Sequence, residues 1–157
     1  TRENIFSQNL VETNQAFNLG KFVSDLVCIY HPAGLKAAAT RYKNCLQENS
    51  KMHAMTEDVI ESCHNGIVSW ERKSNVKPVL IQGINDNLKT IERWEILKEF
   101  FDIKNIEYRI IRSNDGSILS KIKNIIYILD YSTIYSAIMN NVDPSPVNSI
   151  DYIKSKL

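Results

Sequence analysis

Leu26-Val27-Cys28-Ile29-Tyr30, stopped at once by His31-Pro32, sets the architecture of this chain. An unbroken apolar run closed by a proline suits a strand covered on both faces, as strands of a parallel sheet are. Pro78-Val79-Leu80-Ile81-Gln82-Gly83 repeats the pattern with a glycine stop. Between and after these runs the period changes to that of a helix. Leu35, Ala38, Tyr42 and Cys45 mark an alanine-rich helix ending near Glu48. Asn85, Asp86 and Asn87 offer caps for another that carries Trp94, Leu97 and Phe101 on one face. Strands alternating with helices imply an α/β domain with a small, mostly parallel sheet flanked by helices.

Working outward, Phe6, Leu10, Thr13 and Phe17 predict an amphipathic helix over about 3–25, which Gly20 weakens without forbidding. Residues 51–63 show no clear period and read as including a loop. Ile106–Ile111, interrupted by Glu107 and Arg109, reads as a strand nearer the sheet edge. After the turn Asp115-Gly116-Ser117, the spacing of Ile118, Ile122, Ile125 and Leu129 predicts a long helix to about Asn140. Asp143-Pro144-Ser145-Pro146 breaks it, with Ser145 the expected N-cap and Pro146 the first position of a last helix. Val147, Ile150, Ile153 and Leu157 form that helix's apolar stripe. Three strands are few for such a sheet, which points to a short sheet or a missing companion segment.

Composition narrows the function classes. The 157 residues suffice for one domain with an ordinary core, and 43% hydrophobic with 24% charged residues fits a globular protein. A formal net charge of +1 with scattered Lys and Arg gives nucleic acid no favourable field. No apolar run is long enough for a membrane span and no signal-peptide pattern opens the chain, so the expected location is cytoplasmic. Cys28, Cys45 and Cys63 have no CxxC spacing, and His31, His53 and His64 show no metal spacing; neither a disulfide framework nor a metal site is expected. No glycine-rich phosphate loop occurs, so no nucleotide cofactor is expected. The chain begins at Thr1 without a methionine and reads as a processed product or a piece of something longer.

The candidate chemistry lies in Gln47-Glu48-Asn49-Ser50-Lys51 and, 16 residues on from Glu48, His64-Asn65. A carboxylate and an imidazole at one sugar-sized cleft can open a sugar ring and move a proton between adjacent carbons. Each also has a plain reading: Glu48 as a solvated acid at a helix end, His64 as a capping histidine in an ordinary Asn-Gly turn. Lys154 falls beside the apolar stripe of the last helix, where a lysine either snorkels to water or serves as a functional amine. Arg41 and Lys43 could hold a phosphate or simply coat the surface.

Arg41-Tyr42-Lys43, Gln47-Glu48-Asn49-Ser50-Lys51 and Glu61-Ser62-Cys63-His64-Asn65 resemble the second sugar isomerase (SIS) domain of the bifunctional phosphoglucose/phosphomannose isomerases. Asp130-Tyr131-Ser132, Tyr135 and Asp143-Pro144-Ser145-Pro146-Val147, with Ile150 and Lys154, are similar to that family's C-terminal portion. The resemblance implies a three-layer SIS fold and a metal-free, cofactor-free aldose–ketose isomerase working through a cis-enediol. Its substrates would be glucose 6-phosphate and fructose 6-phosphate, with mannose 6-phosphate as a further one. It casts Glu48 as the base between C2 and C1, His64 as the aid to ring opening, contributed across a homodimer, and Lys154 as the amine near the ring oxygen. Arg41, Asn49 and Asn65 are the accompanying candidates for substrate binding. Gln47, Cys63 and Gly66 depart from the pattern, which has Asn at the first two positions and an acid at the third. Family members are about twice as long, so residues 1–157 read as the C-terminal SIS domain alone, expected to act with an N-terminal SIS domain. A non-catalytic sugar-phosphate-binding or dimerisation module is the competing reading.

Overall fold

The computed structural model describes residues 13–157. Strands β1 (Leu26–His31), β2 (His53–Asp58), β3 (Lys77–Gln82) and β4 (Arg109–Arg112) form one sheet in the order β2-β1-β3-β4. Every neighbouring pair is parallel; Tyr30 of β1 stands between Glu57 of β2 and Leu80 of β3. Strand alternation splits the core in two. Val27, Ile29, Val79, Ile81 and Ile111 join one buried cluster, whereas Cys28, Tyr30 and Leu80 join another. Helices α1 (Gln15–Phe22), α2 (Lys36–Asn49) and α5 (Ile118–Met139) cover the first face. The second face is covered by a one-turn helix α3 (Val59–Ser62), a 3₁₀ segment (Gly66–Glu71) and α4 (Leu88–Ile103). Trp70 of the 3₁₀ segment donates from Nε1 to Tyr30 Oη at 2.8 Å, fastening this layer to the central strand.

The local chemistry explains most boundaries. Asn14 caps α1 by accepting from the Phe17 amide at 3.0 Å, and Asn87 caps α4 by accepting from Lys89. Ser117 caps α5, which runs from Ile118 as its periodicity predicts. Gly20 proves to be a contact rather than a flaw. A Cβ there would lie 2.6 Å from the Ser132 carbonyl oxygen of α5, so only glycine lets the two helices approach this closely. Of the first helix's predicted stripe, Phe6 and Leu10 lie outside the described residues.

Two expectations need correction. Residues 51–63 contain β2, which supplies the fourth strand from within the chain. Its sequence, His-Ala-Met-Thr-Glu-Asp, hides it: an edge strand pairs on one side only, and His53 and Met55 are exposed while Ala54 packs on the first cluster. The last helix, α6 (Asn148–Lys154), begins later than Ser145-Pro146 would place it, and none of its residues is buried. The Ser145 amide instead donates to Asp143 Oδ1 at 2.9 Å, closing an Asx turn. The stripe of Ile150, Ile153 and Leu157 is therefore exposed.

Candidate active site

Glu48 stands at the C-terminal end of α2, where that helix hands over to β2. Lys51 makes the handover: with φ at 56° it ends the helical path in the left-handed region. Its ammonium then donates to the Glu48 carbonyl at 2.5 Å and to the Pro146 carbonyl at 2.7 Å. This strap brings the segment before α6 alongside the end of α2. Between them lies a cleft of about 270 Å³, lined by Gln47, Glu48 and Lys51 on one side and by Pro146–Ile150 on the other. Glu48 also borders a second cleft of about 330 Å³ with Arg41, Cys45, Asn49, Asp130 and Ile134. Its carboxylate is thus on a ridge between two hollows and is open to water.

The groups around that ridge are held from α5. Arg41 makes a two-pronged ion pair with Asp130, its Nη2 at 2.7 Å and Nε at 3.0 Å from Oδ2. Asn49 donates to Thr133 Oγ1 at 2.8 Å, and the neighbouring Ser50 hydroxyl donates to the Thr133 carbonyl at 2.9 Å. Cys45 donates to Asp130, and burial with that carboxylate beside it pushes the thiol up to about 11. Arg41 and Asn49 therefore have fixed orientations, with part of their hydrogen-bonding capacity committed to the protein.

His64 and Asn65 are elsewhere. They follow α3, beyond the C-terminal end of β2, whereas Glu48 precedes the N-terminal end of that strand. Six residues of strand at ~3.3 Å each make β2 about 20 Å long, and the two positions lie beyond its opposite ends. They also belong to opposite faces, since α2 covers the first face and α3 the second. A single chain therefore does not bring His64 to Glu48. The turn bearing His64 is well made: the Asp58 carboxylate accepts from the Ile60 amide at 2.9 Å and the His64 amide donates to the Glu61 carbonyl at 3.0 Å. Both His64 and Asn65 are exposed. Lys154 lies one turn beyond Ile150 on the same face of α6, so its helix adjoins the Glu48 cleft at the other end. It is exposed and has no side-chain partner among the described residues.

Four residues that shape these surroundings have no role in the sequence reading: Lys51 and Asp130 stand there only as members of motifs, and Thr133 and Glu57 do not figure. Asp130 is 89 positions from Arg41, and no local pattern announces such a pair. Glu57 hid inside the unrecognised strand. Burial raises its carboxyl above the ordinary value. Among the described residues there is no group of three or more metal-ligating side chains, and no helix is long and apolar enough to cross a membrane.

The family model for the bacterial phospho-glucose isomerase C-terminal SIS domain matches residues 12–157. The bifunctional phosphoglucose/phosphomannose isomerase of Caldicellulosiruptor bescii is 31% identical over 144 residues, covering 87% of this chain and 42% of that protein. Its counterpart in Aquifex aeolicus is 24% identical over 164 residues, covering 99% of this chain and 50% of that protein. The chain thus spans about half the length of these curated relatives. A crystal structure of a glucose-6-phosphate isomerase like protein from Thermus thermophilus superposes with a TM-score of 0.71 at 15% identity, over 92% of this chain and 48% of that one. The C-terminal domain of glucosamine-fructose-6-phosphate aminotransferase from Francisella tularensis gives 0.62 at 14% identity, over 87% and 42%. At such identities the superpositions speak for the fold alone, and the fold is of the SIS type.

Proposed function

The chain belongs to the bacterial phospho-glucose isomerase C-terminal SIS domain family, and from that premise we propose that it forms the C-terminal half of a sugar-phosphate aldose–ketose isomerase. The reaction is the interconversion of glucose 6-phosphate and fructose 6-phosphate, with mannose 6-phosphate as a further substrate. The observation that carries the reading is the position of Glu48 on its ridge, with the α2 end and the start of α6 strapped together across a cleft.

In the proposed mechanism the Glu48 carboxylate removes the proton from C2 of the open-chain aldose while O1 gains a proton, giving the cis-enediol, and then returns its proton to C1 as O2 gives one up, giving the ketose. His64 of the partner subunit shuttles the proton needed to open the ring. The placement of the two positions beyond opposite ends of β2 and on opposite faces of the sheet supports a site assembled from two chains. The Lys154 ammonium approaches the ring oxygen and offsets negative charge developing on the enediolate. An N-terminal SIS domain would supply the phosphate grip and cover the exposed acid, because a base in a partly desolvated cleft works closer to neutral pH.

Turnover of fructose 6-phosphate by the full-length protein tests this reading. Glu48→Gln should lower kcat by on the order of 10²–10⁴, the usual share of a general base. Undiminished turnover would remove Glu48 from the mechanism. The exposure of both Glu48 and His64, together with Cys63 and Gly66 in the turn, favours a second reading: a sugar-phosphate-binding or dimerisation module without catalysis. Sugar-phosphate binding with no isomerisation, even beside an N-terminal SIS domain, would select it.

A further inference from the structure

A carboxylate is packed beneath the turn that carries His64. Glu57 pairs with Tyr30 across the β1–β2 register and shares with Tyr30, Ser69 and Trp70 the lining of a cavity of about 240 Å³. Its Oε2 is sealed from water and has no hydrogen-bond partner among the described residues. A Cβ built on Gly66 would fall on that same oxygen and come within 3.3 Å of Ser62 Cβ. Gly66 has no positive φ, so its backbone conformation does not call for glycine. The Glu57 carboxyl group occupies the volume that a side chain at 66 would take, and it would have to swing out of its seat to admit one.

An unpartnered, buried acid oxygen costs free energy, and stability alone gives no reason to keep it. The hydrogen bonds within the turn are local. Ser62 donates to the Val59 carbonyl at 3.0 Å, and Ser69 donates to the Gly66 carbonyl at 2.7 Å. Val59, fully buried, anchors the start of the turn, and Glu57 supports its end from the sheet. We infer that Glu57 is a positioning residue for His64, its carboxyl group standing in for a side chain at 66 and seating the Cys63–Gly66 turn on β2. This deepens the proposed reading, in which His64 takes part in ring opening, and its role in catalysis rests on that reading.

Amide exchange on this chain tests the seating without reference to activity. Glu57→Ala should speed exchange at residues 63–66 by on the order of tenfold while β1 and β3 keep their protection. Glu57→Gln, which keeps the shape, should restore slow exchange. Gly66→Ala should loosen the turn in the presence of Glu57 and be harmless in the Glu57→Ala background, because the colliding atom is then gone. In the full-length protein, Glu57→Ala should lower kcat for fructose 6-phosphate about tenfold with KM nearly unchanged, and Glu57→Gln should recover it. Unchanged exchange in Glu57→Ala, an equal cost of Gly66→Ala in both backgrounds, or unchanged kcat beside an inactive His64→Ala would each overturn the inference. A fully active His64→Ala would instead overturn the proposed role of His64, whatever the exchange data show for Glu57.

Discussion

Gly20→Ala sets two effects of known size against each other. Alanine is the better helix former by about 1 kcal/mol, so on propensity alone the substitution in α1 should stabilise the protein. The structure reverses that expectation. The added Cβ would meet the Ser132 carbonyl oxygen at 2.6 Å, the Ser136 nitrogen at 3.0 Å and Tyr135 Cβ at 3.0 Å, all on α5. Two of these are backbone atoms and cannot rotate away, so α1 must move off α5, with Leu19 and Phe22 losing packing against the first core cluster. Overpacking of this kind costs about 1–3 kcal/mol. Net of the helix gain, the loss is about 0–2 kcal/mol, or up to roughly 8 °C in Tm for a chain of this size. Thermal unfolding followed by circular dichroism reads this directly. A Tm that rises in Gly20→Ala would refute the close approach of α1 and α5.

Two further outcomes follow from the burial of ionisable groups. The Glu57 carboxyl titrates above its unfolded value because burial disfavours its charge, so its contribution is present in full at low pH and is lost as pH climbs from the unfolded toward the folded value. Urea midpoints across pH should therefore show Glu57→Gln gaining on the wild type as pH rises through that window, with a constant gap above it; a gap that shrinks would have the sign wrong. Burial also pushes the Cys28 thiol up to about 12 and Cys45 up to about 11, and raises Cys63. All three should react with iodoacetamide at neutral pH more slowly than free cysteine, and fast alkylation of any of them in the folded chain would contradict the packing described.

What the sequence disclosed depended on which residues have both sides covered. β1 and β3 are flanked by strands and sandwiched by helices, so Leu26–Tyr30 and Pro78–Ile81 are unbroken apolar runs and stand out. β2 pairs on one side and exposes His53 and Met55, so its pattern dissolves into a polar stretch. Asn87, one of the three caps the sequence offers, is local chemistry and legible, whereas Ser117 reads only as part of a turn. Ser145 was misread because Asp143 two residues earlier competes for its amide. Arg41, Glu48 and Asn49 lie on one helix, Arg41 two turns before Glu48, so their grouping follows from the helix that carries them. The distance of His64 from Glu48 could not be read, because it depends on β2 running between them. Glu57 and Gly66 are a matched pair only in space.

Subunit mixing puts the two-chain site to the most direct test. Full-length Glu48→Gln and His64→Ala proteins, each inactive alone, should regain about a quarter of wild-type fructose 6-phosphate turnover when unfolded and reassembled together. Random pairing makes half the dimers mixed, and each mixed dimer holds one site with both groups intact. Mixtures that stay as inactive as their parents would contradict a site built from Glu48 of one chain and His64 of another.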